Sequence, residues 1–308
     1  MKSLSVLSVN TSSKKGQPKK PTQTIQIDSN GVVGDTHRGY WHRQVSLLSW
    51  ESIRQFSKTS NKTFQFGDFA ENITTKGFPV YKTKVLDRFV SQNVELVVSQ
   101  IGKKCHGDGC SIFNAVGKCV MPKEGIFCKV AGGGTLQKGD ILQYIPKVFR
   151  IQIITLSDRA SADIYKDISG EIIKENVQNY FKKIDRECQI EKTVIPDDKK
   201  KLNSIISKSK ADVIFTSGGT GVGPRDFTPE VVKDLLKFEI PGIMEAIRVK
   251  YGANHPNALL SRGVAGVLQT GGIIYTLPGS TKAAGEYCEQ IFKTLYHTIL
   301  MLNGIDAH

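Results

Sequence analysis

The stretch Thr216-Ser-Gly-Gly-Thr-Gly-Val-Gly-Pro-Arg-Asp-Phe-Thr-Pro-Glu230 constrains the fold of this chain more than any other. The apolar run Val213-Ile-Phe215 feeds into it, and Thr228-Pro229 marks a helix start with Thr228 placed to cap it. The unit reads as strand, glycine-rich turn, helix. Glycines at 218, 219, 221 and 223 let backbone N–H groups turn toward a ligand unobstructed by a Cβ, which suits phosphate or another oxyanion. Arg225 and Asp226 set opposite charges at the mouth of the expected pocket. No G-x-x-x-x-G-K-[ST] is present and the glycine spacing is not G-x-G-x-x-G, so neither named nucleotide loop applies. A tight structural turn is the alternative, and the flanking sequence has to decide.

Around this loop, strand and helix patterns alternate. Arg150–Leu156 is a strand ending in Ser157-Asp158-Arg159, and Asp167-Ile-Ser-Gly170 opens a helix with apolar positions 172, 173, 177 and 181. Glu191–Val194 leads to Pro196-Asp197-Asp198 and an amphipathic helix carrying Leu202, Ile205 and Ile206. Helical segments are expected over 229–237 and 242–250. Strand Ile273–Leu277 ends in Pro278-Gly279-Ser280, and a final helix turns Ala284, Tyr287, Ile291, Leu295 and Leu302 inward. This order predicts an α/β three-layer sandwich with a mainly parallel sheet over residues 148–308.

In such sheets ligands gather beyond the carboxyl ends of the strands. Four polar clusters fall there: Ser157-Asp158-Arg159, Pro196-Asp197-Asp198, the glycine loop with Asp226, and Pro278-Gly279-Ser280 with Lys282. Lys282 opens a helix, where the macrodipole disfavours a cation. A bound anion would offset that cost; plain solvent exposure is the other reading. Asp197 and Asp226 suit Mg²⁺ shared with phosphate oxygens, or the capping of the helices that follow, for which Asp198 is better placed.

Residues 1–146 read differently, with a seam at Pro146-Lys147. Short strands at Leu4–Val9, Thr22–Ile27, Gln44–Leu48, Val85–Phe89, Val94–Gln100, Gly125–Val130 and Asp140–Ile145 alternate with glycine turns, and one helix is expected around 50–56. This predicts a mainly-β barrel or sandwich-like domain. The charge is uneven: residues 1–148 hold 21 Lys and Arg against 10 Asp and Glu, and residues 149–308 hold 21 against 19. A basic first half favours an anionic ligand, a nucleic acid or an acidic partner. Aromatics are not interleaved with the lysines, which argues against single-stranded nucleic acid. Cys105, Cys110, Cys119 and Cys128 fall in one window. Thiol chemistry, or zinc held by Cys105, His106, Cys110 and Cys119, is open, with Cys128 an inert buried thiol in a strand.

The segments Thr155-Leu-Ser-Asp-Arg159, Pro196-Asp-Asp198, Thr216-Ser217-Gly218-Gly219-Thr220-Gly221 with Asp226 and Thr228-Pro-Glu230, Ser261-Arg262-Gly-x-Ala-Gly266 and Leu277-Pro-Gly-Ser280 resemble the molybdopterin adenylyltransferase family of the MogA/MoaB type over residues 149–305. The resemblance implies a homotrimer that joins molybdopterin to AMP from Mg-ATP and releases pyrophosphate. It makes Asp226 and Asp197 the functional carboxylates and places Gly218, Gly219, Thr220 and Gly221 in the phosphate-binding turn, with Ser280 near the substrate. Thr281 stands where the family often has Pro. In the first half, Gly34-Asp35-x-His37, Gln44-Val-Ser-Leu-Leu48, Gly67-Asp-Phe-x-Glu-Asn72, Gly109-Cys110-Ser-Ile-Phe113 and the closing Gly139-Asp140 resemble a MOSC domain. That implies a cysteine, with Cys110 as its counterpart, that handles sulfur or ligates the molybdenum cofactor.

Apolar runs are too short to span a membrane and the N-terminus is too polar for a signal peptide, so a cytoplasmic protein is expected. The expected partners are molybdopterin and ATP, other cofactor-biosynthesis proteins and recipient molybdoenzymes, with no nucleic acid and no membrane. Molybdate insertion into adenylylated molybdopterin and non-catalytic cofactor carriage are the alternatives.

Overall fold

Leu4, Val6 and Val9 are buried along β1 (Ser3–Thr11) while Ser3, Ser5 and Leu7 are less so, and a strand with one buried face has to be sealed by others. The computed structural model of the chain describes residues 2–15, 17–104 and 119–305. The chain divides into two compact units, Met1–Lys147 and Val148–His308.

The first unit continues with β2 (Lys20–Thr22), β3 (Thr24–Asp28), β4 (Gly31–Val32), β5 (Val45–Ser49), α1 (Trp50–Ser60), β6 (Ile73–Lys76), β7 (Arg88–Val90), β8 (Glu95–Ile101), α2 (Met121–Glu124), β9 (Ile126–Gly132), β10 (Gly134–Gln137) and β11 (Ile141–Ile145). Its strands run in the order β11-β7-β8-β9-β5-β6-β1, and β1 pairs again with β11, closing a seven-stranded barrel. The β5–β6 pair is parallel; the rest of the barrel is antiparallel. A small sheet, β10-β3-β4, sends Ile25, Ile27 and Leu136 into the same core as Leu47, Phe89, Leu96 and Ile126. Buried polar side chains tie the connections together. The Gln44 amide donates to Ser29 O at 2.7 Å and accepts from Val130 N at 2.8 Å, and Asn72 Oδ1 accepts from Ser46 N and Oγ. The expected strand at 85–89 starts only at Arg88, because Leu86 has a φ of 77° and the chain turns there.

The second unit consists of β12 (Val148–Leu156), α3 (Asp158–Ser161), α4 (Ile168–Lys183), β13 (Glu187–Ile195), α5 (Lys199–Lys208), β14 (Val213–Ser217), α6 (Thr228–Lys233), β15 (Leu236–Glu239), α7 (Pro241–Gly252), β16 (Ala265–Leu268), β17 (Ile273–Leu277), α8 (Thr281–Ile291) and α9 (Leu295–Leu302). The sheet order is β13-β12-β14-β17-β16-β15; the first four strands are parallel and the last two antiparallel. Ile153, Phe215 and Tyr275 lie in register across three central strands. The Phe215 ring reaches Phe292 beside α8 at 6.4 Å, and Phe149 meets Phe181 of α4 at 5.0 Å. Ile214 and Ile274, on the alternate positions, join Leu202, Ile206 and Val232 of α5 and α6 in a second cluster. This is the three-layer α/β sandwich with a mainly parallel sheet that the sequence pattern predicts. Each fully buried residue of these rows contributes about 1.5–3 kcal/mol by removal from water.

Three elements depart from expectation. The helix expected through Lys237 stops at Lys233, and residues 236–239 pair as a strand with β16. Val231-Val-Lys-Asp-Leu-Leu236 suits either conformation, and the free edge of β16 decides. The final helix breaks between Ile291 and Leu295, so Leu302 is 38% exposed rather than inward. Thr228 does not cap α6: it is the first helical residue, and its hydroxyl donates to Gly218 O at 2.9 Å. Among the described residues no helix is long and apolar enough to cross a membrane.

Candidate active site

The four parallel strands β12, β13, β14 and β17 end on the same side, and each hands its chain to one of the polar clusters. The glycine loop leaves β14 through Gly218 (φ 106°) and Gly219 (φ 67°). A Cβ on Gly218 would lie 2.6 Å from Leu156 O, and one on Gly219 would lie 2.4 Å from Thr228 Oγ1, so both conformation and space require glycine. Gly218 N donates to Leu277 O at 2.9 Å and Thr228 N to Gly219 O at 3.0 Å, which pins the loop to its neighbours.

Arg262 fixes the rest of the loop. Its N–H donates to Thr220 O, its Nε to Gly221 O and its Nη2 to Asp226 O, while Nη1 pairs with Glu230. Burial opposes charge on Glu230, but hydrogen bonds from its own backbone and from Arg262 hold the carboxyl below the usual range. Asp226 then turns its Oδ2 back to Gly223 N at 2.8 Å.

Asp226 and Gly219 line two cavities. One, of about 400 Å³, is charged: Ser157, Asp158, Arg159, Asp197, Gly223 and Arg225 complete most of its wall. The other, of about 420 Å³, is bounded by Thr220, Gly221, Gly279, Ser280 and Lys282, with Tyr251, His255, Ser261 and Tyr287 on the far side. Ser280 caps α8 by accepting from Ala283 N, which sets Lys282 on its first turn. Lys282 Nζ meets His255 Nε2 at 2.5 Å and lies 3.8 Å from Glu286. The larger cavity is the less charged of the two. Burial raises the pKa of its Tyr287 phenol, against a hydrogen bond to Ser261.

In the charged cavity Asp197 N donates to Asp158 Oδ1 at 2.9 Å, and Arg225 lies 3.2 Å from Asp158 and 3.9 Å from Asp197. The Asp197 carboxyl is held above the ordinary aspartate range, first by burial and then by the negative charges of Asp158 and Asp226, with Arg225 opposing them. A carboxylate crowded by like charges is the position a cation would relieve.

Of the residues singled out in the sequence, Asp226, Asp197, Ser157, Asp158, Arg159, Gly219, Thr220, Gly221, Gly279, Ser280 and Lys282 line these two cavities. Ser217, Gly218 and Arg262 line neither: Ser217 is fully buried with its Oγ 3.1 Å from Ser169 Oγ, and the other two shape the loop from behind. Arg225 faces Asp158 rather than its neighbour Asp226. Asp198 caps α5, as its position suggests. Sequence reasoning missed Tyr251 and His255; their spacing of four, just before Pro256, is the one signal that marks them. Cys110 and the zinc set's Cys105 and His106 lie outside the described residues. Among the described residues no group of three His, Cys, Asp or Glu is arranged to hold a metal ion. Cys128 is fully buried, which pushes its thiol pKa up.

Two family descriptions match the chain: "MOSC domain" over residues 34–143 and "Probable molybdopterin binding domain" over residues 152–297. The molybdopterin adenylyltransferase of Helicobacter pylori strain J99 is 30% identical over 162 residues, covering 51% of this chain and 90% of that protein. The chain belongs to the molybdopterin adenylyltransferase family. Its residues 34–143 add a MOSC domain to that unit. The molybdenum cofactor biosynthesis bifunctional protein of Synechococcus elongatus is 34% identical over 158 residues, covering 50% of this chain and 47% of that one. These sequence matches place the chain in molybdenum cofactor biosynthesis. Among solved structures, the molybdopterin biosynthesis enzyme MoaB of Thermus thermophilus is 33% identical and covers 51% of this chain and 98% of its own, with a TM-score of 0.45.

Proposed function

We propose that residues 148–308 transfer AMP from Mg-ATP to molybdopterin. The observation that carries this reading is the pair of cavities sharing Gly219 and Asp226. A transfer between two phosphorylated substrates needs one compartment for each and a common wall where their phosphates meet. The charged cavity suits the triphosphate, and the larger one, walled by Tyr251 and Tyr287, suits the pterin with its phosphate toward Lys282 and Ser280.

An oxygen of the pterin's terminal phosphate attacks the α-phosphorus of ATP, the bond to the bridging oxygen breaks, and pyrophosphate leaves with the electron pair. No strong base is required, so positioning and charge neutralisation carry the catalysis. The amides of the glycine loop hold phosphate oxygens, and Arg159 and Arg225 offset the charge of the triphosphate. Asp197 and Asp226 fit Mg²⁺, which is held by one or two carboxylates plus substrate phosphates rather than by a full protein cage. Mg²⁺ would supply charge neutralisation at the phosphates.

The MOSC unit, in the same reading, binds the molybdenum cofactor or handles its sulfur through Cys110, and the chain works as a cytoplasmic homotrimer alongside other cofactor-biosynthesis proteins and recipient molybdoenzymes. The basic excess of residues 1–148 supports an anionic ligand there. Asp226→Asn keeps an acceptor for Gly223 N but removes the charge. AMP transfer should fall by about 100-fold or more with an unchanged circular dichroism spectrum, and wild-type turnover in that variant would refute the role of Asp226. Loss of cofactor retention in Cys110→Ser tests the MOSC half.

A further inference from the structure

Beside the charged cavity stands a small aromatic and apolar shelf that the reaction as described does not use. The loop between α3 and α4 folds back on α3: Ile164 N donates to Arg159 O at 2.9 Å. Tyr165 follows, its hydroxyl 2.8 Å from Ser157 Oγ, and the Arg159 guanidinium lies 5.3 Å from the ring centroid. Ser157 and Arg159 are both walls of the charged cavity. Tyr165 is thereby held by Ser157 and Arg159, yet 45% of it is open to solvent, and it is flanked by Ile164 at 70% and Ile168 at 57% exposure. Three large apolar side chains exposed within five residues are costly surface unless a ligand covers them.

We propose that Tyr165, steadied by Ser157 and Arg159, is the platform on which the base of the nucleotide stacks, so that the charged cavity takes the triphosphate and the 162–168 segment takes the purine. The proposal rests on the AMP-transfer reading and sharpens it by assigning the nucleotide to one side of Asp226. An aromatic face next to an arginine and a phosphate site is the chemistry that recognises a base without reading its edge. The pterin is also a flat heterocycle, but Tyr251 and Tyr287 already wall the larger cavity on the other side of Asp226. Anchoring of the Tyr165 hydroxyl before the ligand arrives limits the entropy lost on stacking.

The test compares binding of ATP and of inorganic triphosphate, each with Mg²⁺, to the full chain by calorimetry. Wild type should bind ATP more tightly than triphosphate. Tyr165→Ala should weaken ATP roughly 10-fold, the scale of one stacked base, and leave triphosphate binding unchanged, which also reports that the fold and the phosphate site are intact. Tyr165→Phe, which keeps the ring and drops the hydroxyl, should retain most of the ATP affinity. In turnover, Tyr165→Ala should raise KM for ATP and leave KM for molybdopterin where it is. Equal loss of ATP and triphosphate binding in the alanine variant, equal loss in both variants, or a KM change confined to molybdopterin would each overturn the proposal. Failure of the AMP-transfer reading has a different signature: nucleotide binding that follows this pattern with no adenylylated pterin formed.

Discussion

The Arg225 guanidinium lies 3.2 Å from Asp158 Oδ2, although 67 residues separate the two in sequence. Both side chains are at least half exposed, so the pair adds little to stability, about 0–1 kcal/mol. Its consequence is electrostatic. Arg225 is the cation that partly offsets the crowding of Asp197 by Asp158 and Asp226.

That arrangement predicts opposite shifts in the pH profile. Asp197 must be ionised to hold a cation, and its raised pKa means that activity falls on the acid side at a higher pH than an ordinary aspartate near 3.9 would give. Arg225→Ala removes the charge that lowers this pKa, so the acid limb of kcat/KM should move to higher pH. Asp158→Asn removes a charge that raises it, so the limb should move to lower pH. Shifts in the same direction would contradict the assignment.

Arg262 should separate loop order from surface charge. Its fork holds two loop carbonyls, Gly221 O and Asp226 O, together with Glu230, and lysine cannot reproduce that geometry. Arg262→Lys should cost about 1–3 kcal/mol in urea unfolding and lower kcat more than it raises KM for ATP. Arg225→Ala should change unfolding by less than about 0.5 kcal/mol.

The sequence made the centre of this site legible and its supports obscure. An apolar triplet, four glycines and Thr-Pro define strand, turn and helix locally, and the parallel sheet brings the neighbouring clusters to one edge by topology alone. Partners chosen across the fold leave no local mark: Arg262 bonds a loop some forty residues away, and Tyr251 and His255 reach the larger cavity from the end of α7. The edge strand β15 and its neighbour β16 were equally hidden, each being four residues long and fixed by pairing within the sheet. In the barrel, the Gly34-Asp35-x-His37 motif was legible as a motif, whereas its tie to Lys19 was not.

That tie gives a stability prediction. Lys19 Nζ and Asp35 Oδ2 are 2.7 Å apart with both side chains 1% exposed. Burial opposes the charge on Asp35, but hydrogen bonds from His37 and the Lys19 ammonium overcome it and hold the carboxyl well below the usual range. Asp35→Ala leaves a buried ammonium unpaired and should destabilise the first unit by about 3–5 kcal/mol. Because the folded pKa is depressed, the contribution of Asp35 is fully present above the ordinary carboxylate range and is lost as pH falls through the folded value. Acid unfolding followed by tryptophan fluorescence should therefore lose part of its steepness below about pH 4 in Asp35→Asn.

Thiol reactivity should sort the cysteines. Burial pushes Cys288 up to about 12 and Cys128 further, so neither presents a thiolate at neutral pH. Native alkylation followed by peptide mapping should spare both and modify them only after unfolding. Rapid labelling of Cys128 in the folded chain would contradict the barrel core described here.

The most direct test of AMP transfer is incubation of the full chain with molybdopterin, ATP and Mg²⁺, following pyrophosphate and the pterin product by mass. Pyrophosphate release should depend on molybdopterin, with one equivalent for each pterin that gains an adenylyl group, and should almost vanish with Asp226→Asn. Binding of both substrates without adenylylated pterin or pterin-dependent pyrophosphate would contradict AMP transfer by this chain.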